Sequence, residues 1–372
     1  MRILFTGPAA AGHLYPMVPT AQALRAAGHE VLFATGQPVD LIRPAGFPII
    51  EIGDGRGLRE IIEERLGGKV QYINHDRTQE EIFDMAAAMF AHATRPGVDG
   101  LLAAATDWGA DLLVHDSCHA APPLVAARLK IPSVVHNFGA SPGRSMTELV
   151  ASHVSDLYEE WGLAGPTVTA ALNVGPLGGD PDGLAMRYVP YNGGGIVPTE
   201  FLRKPERPRA VVTLGTVLSE LDGVRAVVRM VEAAAEVDAD FLLAVGDADL
   251  APLGTLPANV RSLPWVPLNE LLGRADALIH HGGSGTMLTA LQAGLPQLLL
   301  PQGADHFVNA DALTATGAAL SSASDAVDAP LLTRLLTDAA LRDAAHRLQA
   351  DNAALPAPAA LVPVLEDLAA RR

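Results

Sequence analysis

The run His281-Gly282-Gly283-Ser284-Gly285-Thr286 stands between an apolar stretch, Ala277-Leu278-Ile279-His280, and a helical pattern that stops at Gly294. Small residues at a strand-to-helix junction let an anion approach the backbone. The first helical turn there offers unpaired N–H groups at the positive end of the helix dipole. His281 and Thr286 add side-chain donors, so the run reads as a seat for a diphosphate. It has neither the lysine of a GxxxxGK[ST] phosphate loop nor the spacing of GxGxxG, which leaves the usual nucleotide-hydrolysing and dinucleotide-binding readings unsupported. A glycine-rich turn beside core histidines fits the run equally well. The residues after it favour the seat: Ala293-Gly294-Leu295-Pro296, a second apolar strand over 297–300, and a polar loop, Gln302-Gly303-Ala304-Asp305-His306, leading to Asn309.

The elements that must position these residues are legible as an alternation of short β-rich runs with Ala/Leu-rich helical runs, the pattern of parallel sheets covered by helices on both faces. It occurs twice. The first half predicts strands at 3–6, 31–35, 111–114 and 133–136, with a helix over 16–27 that stops at Gly28; the second predicts strands at 210–214, 241–245, 260–263, 277–279 and 297–300. Between them, Tyr191-Asn192-Gly193-Gly194-Gly195 and Lys204-Pro205-Glu206-Arg207-Pro208-Arg209 lack any apolar period and mark a hinge. The expected domains are therefore 1–195 and 208–355, with a closing helix over 356–372 after the Pro356-Ala357-Pro358 break. Doubly wound sheets bind ligands at the carboxyl ends of their strands, so the expected site is a cleft between two facing domains.

With those residues in view, the segment from Trp265 to Ala310 resembles the nucleotide-sugar region of family 1 GT-B glycosyltransferases of the antibiotic and natural-product type. Actinomycete deoxysugar transferases of macrolide, enediyne and aromatic polyketide pathways are examples. The resemblance rests on Trp265-Val266-Pro267, the His281 to Thr286 run, Pro301-Gln302 and Asp305-His306-Phe307-Val308-Asn309-Ala310. It extends to Gly12-His13-Leu14-Tyr15-Pro16, similar to the family's acceptor-side motif, and to Arg187-Tyr188-Val189-Pro190-Tyr191-Asn192-Gly193, similar to its pre-linker segment. The stretch over 54–95 matches nothing in the family pattern. The resemblance implies a GT-B fold of two Rossmann-like domains, the last helix packing back on the first of them.

The reaction so implied is displacement at an anomeric carbon by an acceptor hydroxyl, a nucleoside diphosphate leaving. His13, at the first strand-to-helix loop, is the expected base, because an imidazole titrates near operating pH and the family counterpart has that role. Asp116, directly after the strand ending at His115, is the expected partner that holds the other ring nitrogen. His281, the N–H groups of Gly283, Ser284, Gly285 and Thr286, and the loop Gly215-Thr216 are assigned to the diphosphate. Trp265 is assigned to stacking on the base, with Val266 backbone groups on its edge. Asp305 and His306 resemble the pair that holds sugar hydroxyls, with His where the family has Gln. Members using UDP-sugars carry a Glu that bonds the ribose diol; here, eight residues after His281, the position is Thr289, which implies a dTDP donor. In the segment over 54–95, Ile82, Met85, Met89 and Phe90 form one apolar stripe, expected to line the acceptor pocket or else to be plain core.

Composition sets bounds. With 26 Lys and Arg against 42 Asp and Glu the formal charge is −16, which excludes a nucleic-acid or anionic-membrane footprint. The single cysteine, Cys118, excludes an internal disulfide framework and fits a cytoplasmic location. No uninterrupted apolar run predicts a membrane span. No metal and no cofactor are expected: Asp238-Ala239-Asp240 and Asp247-Ala248-Asp249 read as solvated turns despite their DxD form, and His115, Cys118 and His119 lack a fourth zinc ligand. The expected partners are a dTDP-deoxysugar donor and a small hydrophobic aglycone, with a homodimer left open. The leading reading is an inverting, metal-independent deoxysugar transferase of antibiotic biosynthesis. A UDP-sugar-using transferase, a nucleotide-sugar 2-epimerase of the same fold and a non-catalytic partner of another transferase remain as alternatives.

Overall fold

The computed structural model describes residues 1–67, 77–203, 205–215, 224–246 and 248–371. They form two compact units, one from residues 1–191 and 355–371, the other from Asn192–Ala354.

The first unit is built on a seven-stranded sheet of β1 (Arg2–Thr6), β2 (Glu30–Thr35), β3 (Ile49–Glu51), β4 (Leu112–His115), β5 (Ser133–His136), β6 (Ala170–Val174) and β7 (Leu184–Met186). Every pairing is parallel and the spatial order is β3-β2-β1-β4-β5-β6-β7. The order reverses between β1 and β4, where the chain leaves one side of the sheet and resumes on the other.

The second unit has a six-stranded parallel sheet of β8 (Arg209–Thr213), β9 (Asp240–Leu243), β10 (Val260–Ser262), β11 (Ala277–His280), β12 (Gln297–Leu299) and β13 (Ala319–Ser321). Its order is β10-β9-β8-β11-β12-β13, with the reversal between β8 and β11. Side chains alternate between two buried clusters: Val212, Leu243 and Ile279 enter one, Val211, Leu242 and Leu278 the other. Both faces are thus covered, and for that reason these strands read as unbroken hydrophobic runs.

At each reversal the last residues of the two central strands are a Thr and a His in register, Thr6 opposite His115 and Thr213 opposite His280. One helical run, Ala339–Ala370, has the length and composition of a membrane span, which the sequence reading did not anticipate. A break around Pro356 and Pro358 divides it into helices Ala339–Ala354 and Val362–Ala370, which belong to different units.

Candidate active site

In the first unit the site sits at the strand reversal. β1 ends at Thr6, and the chain turns into a short helix, Ala11–Leu14, that carries His13 in its single turn rather than in the loop the sequence suggested. Asp116 comes directly after β4. His13 Nδ1 lies 3.0 Å from Asp116 Oδ2, with the Asp116 side chain 1% exposed and that of His13 15% exposed. The other carboxylate oxygen accepts the Cys118 N–H at 2.7 Å, so Asp116 cannot rotate without losing a buried hydrogen bond. Phe90 and Phe138 meet the imidazole edge-on, at 4.9 and 5.1 Å between ring centres. The pair is thereby held as an oriented dyad, with Nδ1 committed to Asp116 and Nε2 on the far side of the ring.

Around Asp116 lie histidines that burial keeps uncharged. His115 and His136 are each pushed down to about 4 and His119 to about 3, in each case mainly by desolvation. His115 Nδ1 bonds the Asp116 carbonyl, and His119 Nδ1 accepts the Ala121 N–H. The His115, Cys118 and His119 spacing therefore serves local structure. Among the described residues, the grouping with metal-ligand geometry is instead His13, Asp116 and Cys118, whose ligand atoms lie within 4.8 Å of one another.

The stripe expected over 82–90 divides. Ile82 is buried, Met85 is exposed, and Phe90 packs on His13. Residues 68–76 of the segment over 54–95 lie outside the described residues. A cavity of about 30 Å³ lies beside Asp54, Arg56, Thr94 and His119.

In the second unit the corresponding reversal holds Gly215 and His281. A Cβ on Gly215, whose φ is +68°, would lie 2.6 Å from His281 Cε1, and one on Gly283 would lie 2.4 Å from Nε2. A Cβ on Gly282, φ +100°, would meet His306 Cβ at 3.0 Å. Gly215 and Gly283 make room for the His281 ring, and Gly282 for the backbone and Cβ of His306. Of the three glycines of the run, only Gly285 faces open space. Thr216 lies outside the described residues. Ser284 opens the helix Ser284–Ala293 and Thr286 is half-buried in its first turn, so the backbone donors from Gly283 onward stand at a helix N-terminus.

His281 is 8% exposed and driven down to about 3, first by burial and then by His306, with Asp305 opposing. It packs edge-on against His306 at 4.8 Å. His280 and His306 are likewise pushed to about 3 by burial. The seat is thus lined by neutral imidazoles. His306 is buried, with Nδ1 accepting from the Gln302 N–H at 3.4 Å, a different setting from the sugar-facing one expected of it. Asp305 Oδ2 accepts the Ser284 hydroxyl at 2.6 Å and the Asn309 amide at 2.8 Å.

Trp265 is 51% exposed while Val266 is buried, which separates the indole from the core beneath it. Thr289 is fully buried; its hydroxyl donates to the Gly285 carbonyl at 2.7 Å, and Asn192 Nδ2 lies 3.5 Å away. Asp238 and Asp240 pair with Arg207 and Asp249 caps Ala251, while Asp247 lies outside the described residues. Sequence reasoning missed the roles of Phe138 and Asn309. Asn309 is four residues after Asp305 on one helix face, a spacing that pointed to it; nothing in the sequence marked Phe138.

Comparison with known proteins adds to this geometry. The family model described as erythromycin biosynthesis protein CIII-like matches residues 22–215 with its N-terminal domain and 228–368 with its C-terminal domain. The elloramycin glycosyltransferase ElmGT of Streptomyces olivaceus is 36% identical over 374 residues, 96% of this chain and 95% of that protein. Among solved structures, the glycosyltransferase SnogD from Streptomyces nogalater is similar at a TM-score of 0.86 and 37% identity, over 99% of this chain and 100% of that one. Glycosyltransferase VinC, solved in complex with dTDP, is similar at a TM-score of 0.81 and 30% identity, over 100% of both chains.

Proposed function

This chain belongs to the erythromycin biosynthesis protein CIII-like family of antibiotic glycosyltransferases, and on that premise we propose that it moves a deoxysugar from a dTDP donor to a small hydrophobic aglycone, with inversion and without a metal ion. The observation that carries the reading is the His13–Asp116 hydrogen bond of 3.0 Å. Asp116 holds Nδ1–H, which leaves Nε2 as the basic nitrogen. The acceptor hydroxyl gives its proton to Nε2 as its oxygen attacks the anomeric carbon. The carbon–oxygen bond to the diphosphate breaks, and the bonding pair leaves with dTDP. A single displacement of this kind inverts the anomeric centre. Asp116 then stabilises the imidazolium.

Charge growing on the leaving diphosphate is met by backbone N–H groups from Gly283 to Thr286 and by a neutral His281. The dTDP preference rests on Thr289: no carboxylate stands there to bond a ribose diol, and a deoxyribose presents none. The base is stacked on Trp265, whose exposure favours that role over core packing.

The test is transfer from a dTDP-deoxysugar to an aglycone in excess EDTA, with the product's anomeric configuration assigned by NMR. Undiminished rate and inverted configuration are expected. Retention would overturn the single displacement. Loss of rate on chelation, restored by a divalent ion, would overturn metal independence; rescue by Zn²⁺ would favour a metal at His13, Asp116 and Cys118. Calorimetry with dTDP and UDP should give dTDP an advantage of about tenfold; equal affinity would remove the nucleotide assignment.

A further inference from the structure

Asn309 is fully buried on the helix His306–Thr314, and its side-chain amide lies against three acceptors at once. They are the Gly282 carbonyl at 2.9 Å, Ser284 Oγ at 2.9 Å and Asp305 Oδ2 at 2.8 Å. A side-chain amide has two N–H bonds. Ser284 supplies the missing donor, since its hydroxyl reaches the same Asp305 oxygen at 2.6 Å.

We propose that Asn309 is the positioning residue of the donor seat, arranged so that the Ser284 hydroxyl can be handed from Asp305 to the donor's diphosphate. The proposal rests on the donor-seat reading above. With the Ser284 hydrogen on Asp305, the two amide hydrogens serve Gly282 and Ser284. When a phosphate oxygen takes the Ser284 hydrogen, one amide hydrogen moves its bond from Ser284 Oγ to Asp305 Oδ2, which is already within reach. Only a small turn of the amide about its side-chain bond is needed, and the carboxylate keeps a donor throughout. Without Asn309, releasing Ser284 would strip Asp305 of a charge-assisted hydrogen bond in a partly buried site, and the serine would stay on the carboxylate.

The experiment is calorimetric titration of dTDP and of thymidine, which lacks the phosphates, into wild type, Asn309→Ala, Ser284→Ala and the double variant. Asn309→Ala should weaken dTDP about tenfold and leave thymidine within twofold. Ser284→Ala should do the same, and the double variant should be no more than about twofold worse than Ser284→Ala, because the two act through one hydrogen bond. A structural role alone would weaken both ligands equally, and independent roles would multiply in the double variant; either result overturns the proposal. If Asn309→Ala does not fold, Asn309→Ser, which keeps one donor, is read by the same ratio. A wild type that binds thymidine and dTDP equally would sink the donor-seat reading itself, which separates the two failures.

Discussion

The two strand reversals share a topology and a register pair and are filled in opposite ways. In the first unit, Thr6 and His115 end the central strands, and the loops beyond them bring a buried carboxylate to an imidazole. In the second, Thr213 and His280 end the central strands, and the loops bring in glycines around an imidazole pushed to a pKa of about 3. One reversal sets a half-buried imidazole against a buried carboxyl group at 3.0 Å, the arrangement the proposed base would use. The other keeps its histidines neutral by burial and places backbone N–H groups of a helix start beside them. In the proposed function the same sheet edge serves proton transfer or anion binding according to whether a carboxylate or a run of glycines comes after the strand.

The sharpest way to break this comparison is to remove the base. His13→Ala should lower kcat about 10³-fold while dTDP affinity stays within about twofold, as measured by steady-state kinetics beside calorimetry. Asp116→Asn should act in the same direction with a loss of about 10- to 100-fold, since its one oxygen cannot accept from both His13 and the Cys118 N–H while the imidazole itself remains. If either change weakened dTDP as much as it slowed turnover, the division of labour would be wrong.

A smaller effect is expected from crowding the other imidazole. Gly283→Ala places a methyl 2.4 Å from His281 Nε2 and should weaken dTDP about 10- to 100-fold by overpacking. Gly285→Ala, which meets nothing within 4 Å, should leave the melting temperature unchanged. Equal destabilisation by both would mean that the run is a generic turn.

The smallest effect should come from pH. Binding of a dTDP-sugar, whose diphosphate does not titrate in this range, should change less than twofold between pH 5.5 and 8, because His280, His281 and His306 remain neutral with values near 3. Their folded values lie below the ordinary 6.5, so the unfolded chain binds more protons as the medium is acidified. The stability they contribute is complete above pH 6.5 and is lost as pH falls toward 3, as are the contributions of His115, His119 and His136 in the first unit. A thermal melt series should show that decline in both units. A donor affinity that rose with a midpoint near 6 would mean a charged seat and would erase the contrast.

Much of the fold was legible because central strands buried on both faces are apolar throughout, and β1, β2, β4, β5, β8, β9, β10, β11 and β12 were all anticipated within a residue or two. The strands not anticipated were β3, β6, β7 and β13, all lying toward the sheet margins and three of them only three residues long. β10 and β12 are equally short and were anticipated, so length alone does not decide. In the site, residue type and order pointed to His13 and Asp116, which the fold brings to 3.0 Å, but not to the packing around His281 and His306. Gly282 and Gly283 read as space for a ligand, yet the missing side chains are those that His306 and His281 would otherwise strike. His306 is read by position in a motif, and its burial depends on a loop packing that no local pattern encodes.

The chain crosses from the first unit to the second at Tyr191 and returns at Leu355. Helix Val362–Ala370 reaches back through Glu366, 2.9 Å from His29, and the Pro356 carbonyl accepts the Arg187 N–H at 2.8 Å. A ribosome making this protein therefore releases all of the second unit's sequence before the last piece of the first. The N-terminal unit, ordinarily the first to be complete, here receives its last segment only after the second unit's sequence has been synthesised.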